Sequence, residues 1–418
     1  MIADNKAPFT EPNLTLSSEK KFSNFTSNHS WEPGWLADHR RESWENLNQI
    51  TESSIKDEKW RFSPKHRLGY SQFNQILETA NSIKFGTVPD NCDAVFDSID
   101  NILLDKADLI SDFAKLKGPS LGANESFQLV NSYFSNGYFI HLPKSESKPL
   151  TIRVDHFCPP DGHVTFHKNF IILEDFTELT VIENFISQNN QHNGALTNLT
   201  HVILGKGSSL NRVIIQNMAE GSSFHNLENI ELHSDSSAIN IGCYLGASQS
   251  RVETKGSLLD KGANFENYSF VSGKNEQLFD QRTEQHHISP YCSSNLLSKN
   301  VLQDEAKTVF AGMIRVDKDA QQTNALQTNR NLVLTKEAEA DSLPGLEILA
   351  NDVKCTHGAT TSRLDQEELF YLLSRGIDRK TAESLISLGF LEEIIEKIPS
   401  ENISTELREI VSSHFNKI

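Results

Sequence analysis

Cys355 and His357 are the residues whose types and spacing point most directly to chemistry. They lie in NDVKCTHGATTSRLDQEELFYLLSRG, residues 351–376. A strand-like run with Leu346, Ile348 and Val353 leads into the pair, and a small-residue turn, Gly358 to Ser362, follows it. In an extended strand, residues two apart point to the same face. The thiol and the imidazole can therefore converge on one ligand. Both suit iron and iron–sulfur centres. Two side chains do not close a metal site, so the remaining ligands must come from elsewhere. The residues alone are more simply read as a packed cysteine beside a strand-end histidine.

Other candidates carry less. His286 and His287 with Cys292 form a tempting cluster, but adjacent strand residues face opposite ways. Cys158 in FCPPDGH reads as a loop residue, and Cys243 in INIGCYLG as core. Gly205-Lys206-Gly207-Ser208 resembles a fragment of a phosphate loop. Thr200 stands where the first glycine is required, and no helix follows. The chain is therefore expected to have no nucleotide site of its own.

The whole sequence narrows the class. The 418 residues carry a net charge of −17, which disfavours nucleic acid as a partner. The five cysteines (92, 158, 243, 292, 355) are odd in number and widely spaced, with no CxxC. That favours a reducing compartment over a disulfide framework. The first residues lack the basic start and apolar run of a signal peptide. No stretch approaches the roughly 20 apolar residues of a membrane span. The expected location is cytoplasmic, away from the membrane.

The elements that must position the pair follow from periodicity. Residues 1–28 are polar and read as a flexible arm. Residues 29–149 read as a mainly helical domain. Pro33 starts a helix with Trp35, Leu36, His39, Trp44 and Leu47 at helical spacing, Ala94–Lys117 is helical, and NGYFIHLP is a strand. From 150 to 362, short apolar or alternating runs such as NFIILED, LNRVIIQN and TVFAGMIRV recur between small polar turns. Turn points at Leu210, Ile239 and Phe265 give a loose period of roughly 26–31 residues, the length of one solenoid coil. A sandwich also gives many short strands. Scarce hairpin turns and this repeat favour a parallel β-helix. Residues 363–418 read as a C-terminal helical domain. One helix covers Asp365–Arg375. A second runs from Asp378 to Gly389, an apolar stripe joins Leu391, Ile394, Ile395 and Ile398, and a last short helix carries Leu407, Ile410, Val411 and Phe415.

The same C-terminal stretch resembles the SufB/SufD family of SUF iron–sulfur cluster assembly scaffolds, closest to the SufD branch. The shared pattern reads here as Pro344, Leu346, Glu347 and Ile348, then Asp352 through Thr360, then Leu369 through Ile377. Pro33, Trp35, Leu36 and Trp44, followed by Trp60-Arg61-Phe62, are similar to the family's N-terminal segment. The resemblance implies a mainly β fold, a right-handed parallel β-helix core with N- and C-terminal helical domains. It implies a non-catalytic subunit of a SufBCD complex, paired as a heterodimer with a SufB-like paralogue. Cys355 and His357 would complete the site for iron or a transient iron–sulfur cluster at the shared interface, with other ligands from the paralogue or the nascent cluster's sulfide. The C-terminal helices would dock the SufC-like ABC ATPase, whose ATP-driven dimerisation would expose that interface. The chain would assist iron acquisition. Separately from the resemblance, an exposed β-helix end leaves a homodimer open to the chain when the paralogue is absent. His357 matches a position both branches share. The carboxylates that flank it on the SufB branch are replaced by Thr356 and Gly358, and no cysteine precedes the strand in KEAEADSLPGLEIL. The alternatives are a β-helix carbohydrate-active enzyme, for which Glu174, Asp175, Asp317 and Asp319 are available carboxylates, or a purely structural binding solenoid.

Overall fold

A computed structural model describes residues 16–50, 58–64, 69–78, 82–86, 92–146, 148–189 and 192–416. The N-terminal part contains α1 (Glu19–Asn28), α2 (Gly34–Gln49), β1 (Gln75–Ile76), β2 (Ile83–Phe85), β3 (Val95–Ser98), α3 (Ile99–Asp105), α4 (Asp108–Ser111), α5 (Asn124–Tyr133) and β4 (Tyr138–Leu142). Helix α2 starts after Pro33 and buries Leu36, Arg40, Ser43 and Leu47, one stripe at i, i+4, i+7 and i+11. Arg40 is tolerated there because its guanidinium reaches Glu32 at 2.6 Å and the Phe134 carbonyl at 2.8 Å. It also lies over the Phe134 ring.

Two expectations for this region are corrected. Residues 1–15 of the expected arm lie outside the described residues. Residues 19–28, however, form α1, whose Phe22 and Phe25 are buried. Phe22 stacks on Trp44 at 5.0 Å, and Phe25 meets Tyr133 edge-on at 5.2 Å. Two aromatic anchors outweigh the polar composition around them. The expected helix over Ala94–Lys117 opens instead as strand β3, paired antiparallel with β4. The Ser98 hydroxyl then accepts the Asn101 amide and starts α3.

The body is a solenoid of two parallel sheets. Strands alternate between them along the chain: β5 (Leu150–Phe157), β6 (His163–Leu173), β7 (Glu178–Ile186), β8 (Ala195–Leu204), β9 (Ser209–Asn217), β10 (Ser223–Leu232), β11 (Ser237–Tyr244), β12 (Gln249–Leu258), β13 (Asn264–Gly273), β14 (Leu278–His287), β15 (Ser293–Leu302), β16 (Lys307–Val316), β17 (Asn324–Val333), β18 (Glu339–Ile348) and β19 (Lys354–Arg363). Even-numbered strands stack in one sheet, in the order β4 to β18, and odd-numbered strands in the other, in the order β5 to β19. Ser223 pairs with Gln249, 26 positions on, and Lys307 with Glu339, 32 positions on. The coil length thus spans the expected repeat. One expected ladder position is off by a residue. Ala238, not Ile239, stacks between Leu210 and Phe265. A one-residue shift sends the side chain to the other face, so Ile239 points outward.

The solenoid also begins earlier than residue 150. β4 pairs parallel with β6, inside the segment expected to be a separate helical domain. Antiparallel strands cover this end of both sheets, β3 on β4 and β2 on β5. At the other end, among the described residues, β18 and β19 each pair on one side alone. The two ends are therefore unlike: one edge is covered and the other presents free backbone groups.

Coil corners account for the rejected phosphate-loop fragment. Phe176, Gly207, Asp235, Gly262, Tyr291 and Gln322 occupy the left-handed region at successive corners. The Gly207 amide bonds the Ser234 carbonyl of the next coil. Gly205 to Ser208 is one such corner, between β8 and β9, and a Cβ at 207 would strike the Phe176 ring at 2.7 Å.

The C-terminal part has α6 (Gln366–Ser374), α7 (Arg379–Ile395) and α8 (Glu401–Asn416). Helix α7 runs through Gly389, the expected stop. Gly389 is exposed, while Leu391, Ile394 and Ile395 are fully buried against the odd-strand sheet with Ile215, Cys243 and Phe270. Burying each such side chain contributes about 1.5–3 kcal/mol, more than the roughly 1 kcal/mol a helical glycine costs. Leu407 and Val411 of α8 join that cluster. The side chain of Phe415 lies outside the described residues. Among the described residues, no helix is long and apolar enough to cross a membrane.

Candidate functional site

Cys355 and His357 lie on β19, the last coil. Their register partners are Ala325 and Gln327. Both partners are buried and face the solenoid interior. Cys355 and His357 therefore continue the inward-facing columns beyond the last covered coil. Cys355 is half-buried and packs with Val353 against a small apolar cluster of Ile314, Val316, Ala320, Ala325 and Ala350. Burial raises its thiol pKa, partly offset by a backbone hydrogen bond at Ala325. The thiol is therefore protonated at neutral pH until a metal or base displaces the proton. His357 is exposed. The strand thus aims both side chains at one opening, as the i, i+2 spacing predicts.

Thiol and imidazole are a chemically suitable partial donor set for iron, and the site is open on the side away from Ala325 and Gln327. Among the described residues, no group of three or more His, Cys, Asp or Glu could hold a metal ion. The pair can contribute to an iron site and does not close one.

The weaker sequence candidates disperse. His286 faces outward and pairs with Asp317 at 3.1 Å. His287 faces inward and bonds the Ser294 hydroxyl at 2.7 Å. The Cys292 thiol donates to the Asp260 carbonyl. Cys158 is buried, with its thiol directed at the Pro159 and Gly194 carbonyls. Cys243 is buried under the C-terminal helices. Glu174 accepts the Lys144 amide and Asp175 the Lys206 amide, so both serve coil corners. Among the cysteines, Cys92 and Cys355 are half-buried and Cys158, Cys243 and Cys292 are buried. Burial raises the Cys158 thiol to about 12. Brief alkylation with iodoacetamide at pH 8, followed by peptide mass spectrometry, is expected to label Cys355 and Cys92 at least tenfold faster than the other three. Uniform labelling would contradict this packing.

Sequence reasoning missed a buried polar interior. Arg212 bonds Glu183 and Glu228, each at 2.5 Å, with all three side chains shut off from solvent. Glu183 also meets His156 at 3.2 Å, and Glu228 takes Thr254 at 2.7 Å. Asparagines bond from coil to coil: Asn198 to Asn226 at 2.8 Å, Asn240 to Asn267 at 3.2 Å, and Asn300 to Asn331 at 2.7 Å. Each of these pairs shares a register position. The available signal was asparagine recurring inside otherwise apolar strands, one coil apart.

The comparisons agree with the architecture. The family model for the SufBD core domain of SUF system FeS cluster assembly matches residues 156–390, more than half of the chain. The chain is 28% identical to the iron–sulfur cluster assembly protein SufD of Escherichia coli over 389 residues, covering 87% of this chain and 90% of that protein. It is 22% identical to SufD of Bacillus subtilis over 426 residues, covering 95% and 98%. A SufBD family protein of Synechocystis is 31% identical over 310 residues, covering 72% and 68%. With a β-solenoid core flanked by helices, the SufBD core match and full-length likeness to SufD proteins, this chain belongs to the SufB/SufD family of SUF iron–sulfur cluster assembly proteins, on its SufD branch.

Proposed function

We propose that this chain is a non-catalytic, SufD-like scaffold subunit of a SufBCD complex in the cytoplasm. In this reading Cys355 and His357 supply part of the cluster-assembly site at the interface with a SufB-like paralogue. Iron and sulfide are the cargo, and the chain assists iron acquisition. The observation that carries the reading is the asymmetry of the solenoid. One end is covered by antiparallel strands, and the other presents Cys355 and His357 on β19, an edge strand whose partner among the described residues is β17 alone. An unpaired parallel edge is a template for another chain, so a paralogue would supply the missing ligands as it covers the edge. A second copy of this chain would take that place when the paralogue is absent.

The C-terminal helices support the docking of a SufC-like ABC ATPase. Helix α6 buries Leu369 and leaves Phe370 71% and Tyr371 57% exposed, with Leu385 of α7 nearby in sequence and 47% exposed. Among the described residues the 205–208 corner is a coil turn, which supports a reading in which the partner hydrolyses ATP.

Co-expression with the SufB-like and SufC-like partners tests this. The expected product is a complex with one copy of each scaffold, two ATPases, and iron and sulfide after anaerobic reconstitution. Cys355→Ser combined with His357→Ala is expected to lower iron and sulfide content at least fivefold with the subunit ratio unchanged. Because a thiol must lose its proton to bind, iron loading is expected to strengthen as pH rises from 6.5 to 8. A chain that stays alone without iron, or that binds a glycan, overturns the proposal.

A further inference from the structure

We infer that Gln327 is a positioning residue for His357: its side-chain amide oxygen accepts a hydrogen bond from one ring nitrogen and leaves the other turned toward the open end of the solenoid. The inference rests on the reading of His357 as part of the assembly site.

Three observations carry it. Gln327 and His357 are register partners on neighbouring coils, both on the inward face. The Gln327 side chain is completely buried, and its Oε1 has no hydrogen-bond partner among the described residues, while its Nε2 donates to the Gly312 carbonyl at 3.2 Å. A buried acceptor left unpaired is costly, so the position calls for a donor. Finally, this solenoid pairs its inward polar side chains with those one coil away in the same register, as at Asn198–Asn226, Asn240–Asn267 and Asn300–Asn331. In the Gln327 column the preceding coil offers Leu296, which has no donor, so of its two register neighbours His357 is the one able to supply a hydrogen. Gly312 makes this possible, since a Cβ there would lie 2.5 Å from the Gln327 Oε1.

A ligating histidine is oriented by what its second ring nitrogen donates to, and losing that partner typically weakens metal binding about 10–100-fold. The backbone keeps Gln327 in place whether or not the coil end is covered. His357 is exposed, so without such a partner its ring would be free to turn.

The test uses the full chain and its complex. In the full chain labelled with 15N-histidine, the His357 ring is expected to show one dominant neutral tautomer at pH 8. Gln327→Leu, which fills the space without an acceptor, is expected to give a mixture, and Gln327→Glu to restore a single form. In the complex, Gln327→Leu is expected to weaken ferrous iron binding at least tenfold, with no further loss in a His357→Ala background. An unchanged tautomer, or an equal loss in the His357→Ala background, overturns the positioning role and leaves the assembly reading standing. Iron binding indifferent to His357→Ala itself would instead overturn the assembly reading.

Discussion

Arg212→Met is expected to lower folding stability by about 3–5 kcal/mol, the cost of removing one partner from a buried ion cluster. The fully buried Arg212 sits between the Glu183 and Glu228 carboxylates, and none of the three side chains is exposed to solvent. Removing it leaves two negative charges in the solenoid interior. Methionine fills most of the volume, so the loss reports charge rather than a cavity. Against a typical stability of about 5–15 kcal/mol, it would remove a large fraction of the total. The pH dependence separates this from a packing defect. Burial alone would raise the Glu183 pKa, but Arg212 and His156 outweigh it and hold the carboxyl at about 2. Stability from Glu183 in the native chain is thus present above pH 4.5 and lost as pH falls toward 2. In Arg212→Met the carboxylates lack their counter-ion, prefer protonation, and tolerate acid better. Chemical denaturation should therefore show a deficit that shrinks from pH 7 to pH 4. The triple variant Arg212→Met, Glu183→Gln, Glu228→Gln is expected to recover at least half of the loss. A deficit independent of pH, or no recovery, would assign the effect to shape alone.

This cluster also shows where the sequence is informative and where it is not. Coil period, strand content and the i, i+2 placement of Cys355 and His357 follow from local spacing, and spacing is what a linear sequence displays. Which charges meet inside the solenoid is a matter of register across coils. Glu183 and Arg212 are 29 positions apart, and Arg212 and Glu228 lie on opposite sheets. Nothing local announces them, because an isolated Arg on a strand reads as a solvent-facing residue. The one-residue error at Ile239 has the same origin: the outward face of that sheet is itself covered by α7 and α8, so both faces carry apolar residues and alternation fades. Helix α1 is hard to read in the sequence for the opposite reason. Its two buried phenylalanines stand among ten mostly polar residues, and their partners Trp44 and Tyr133 are far along the chain.

Lys168 leads to the second large effect, this time on alkaline stability. Its side chain is completely buried between the N-terminal helices and the even-strand sheet. The amine donates to the Ala114 carbonyl and the Asn131 side-chain oxygen, each at 2.6 Å. Among the described residues no carboxylate pairs with it. The charged or titratable groups around it are Arg40 with its partner Glu32, His39 through the shared Asn131, and His201 on the Phe170 ring. Burial, then the Arg40 charge, push its pKa well below the ordinary lysine value. The folded chain therefore holds Lys168 neutral over a pH range where the unfolded chain holds it charged. The unfolded state binds one proton more, so stability rises with pH by about 1.4 kcal/mol per unit between the folded and unfolded pKa values. Other groups confine the useful window. The buried histidines His39, His167 and His201, whose pKa values are lowered by burial, contribute the same sign but only below about pH 6.5. The buried thiols Cys158 and Cys243, raised by burial, oppose it above about pH 8.5, where unfolded thiols ionise. Between pH 7 and 8.5 these histidines and thiols leave the Lys168 contribution unmasked. Lys168→Met removes the amine and keeps the length of the side chain. Urea unfolding of the two proteins is expected to show native stability gaining on the variant as pH rises across that interval, by up to about 1.4 kcal/mol per unit. Parallel pH profiles would mean that the amine stays charged in the fold, held by the two oxygens and the Phe134 and Phe170 rings that face it.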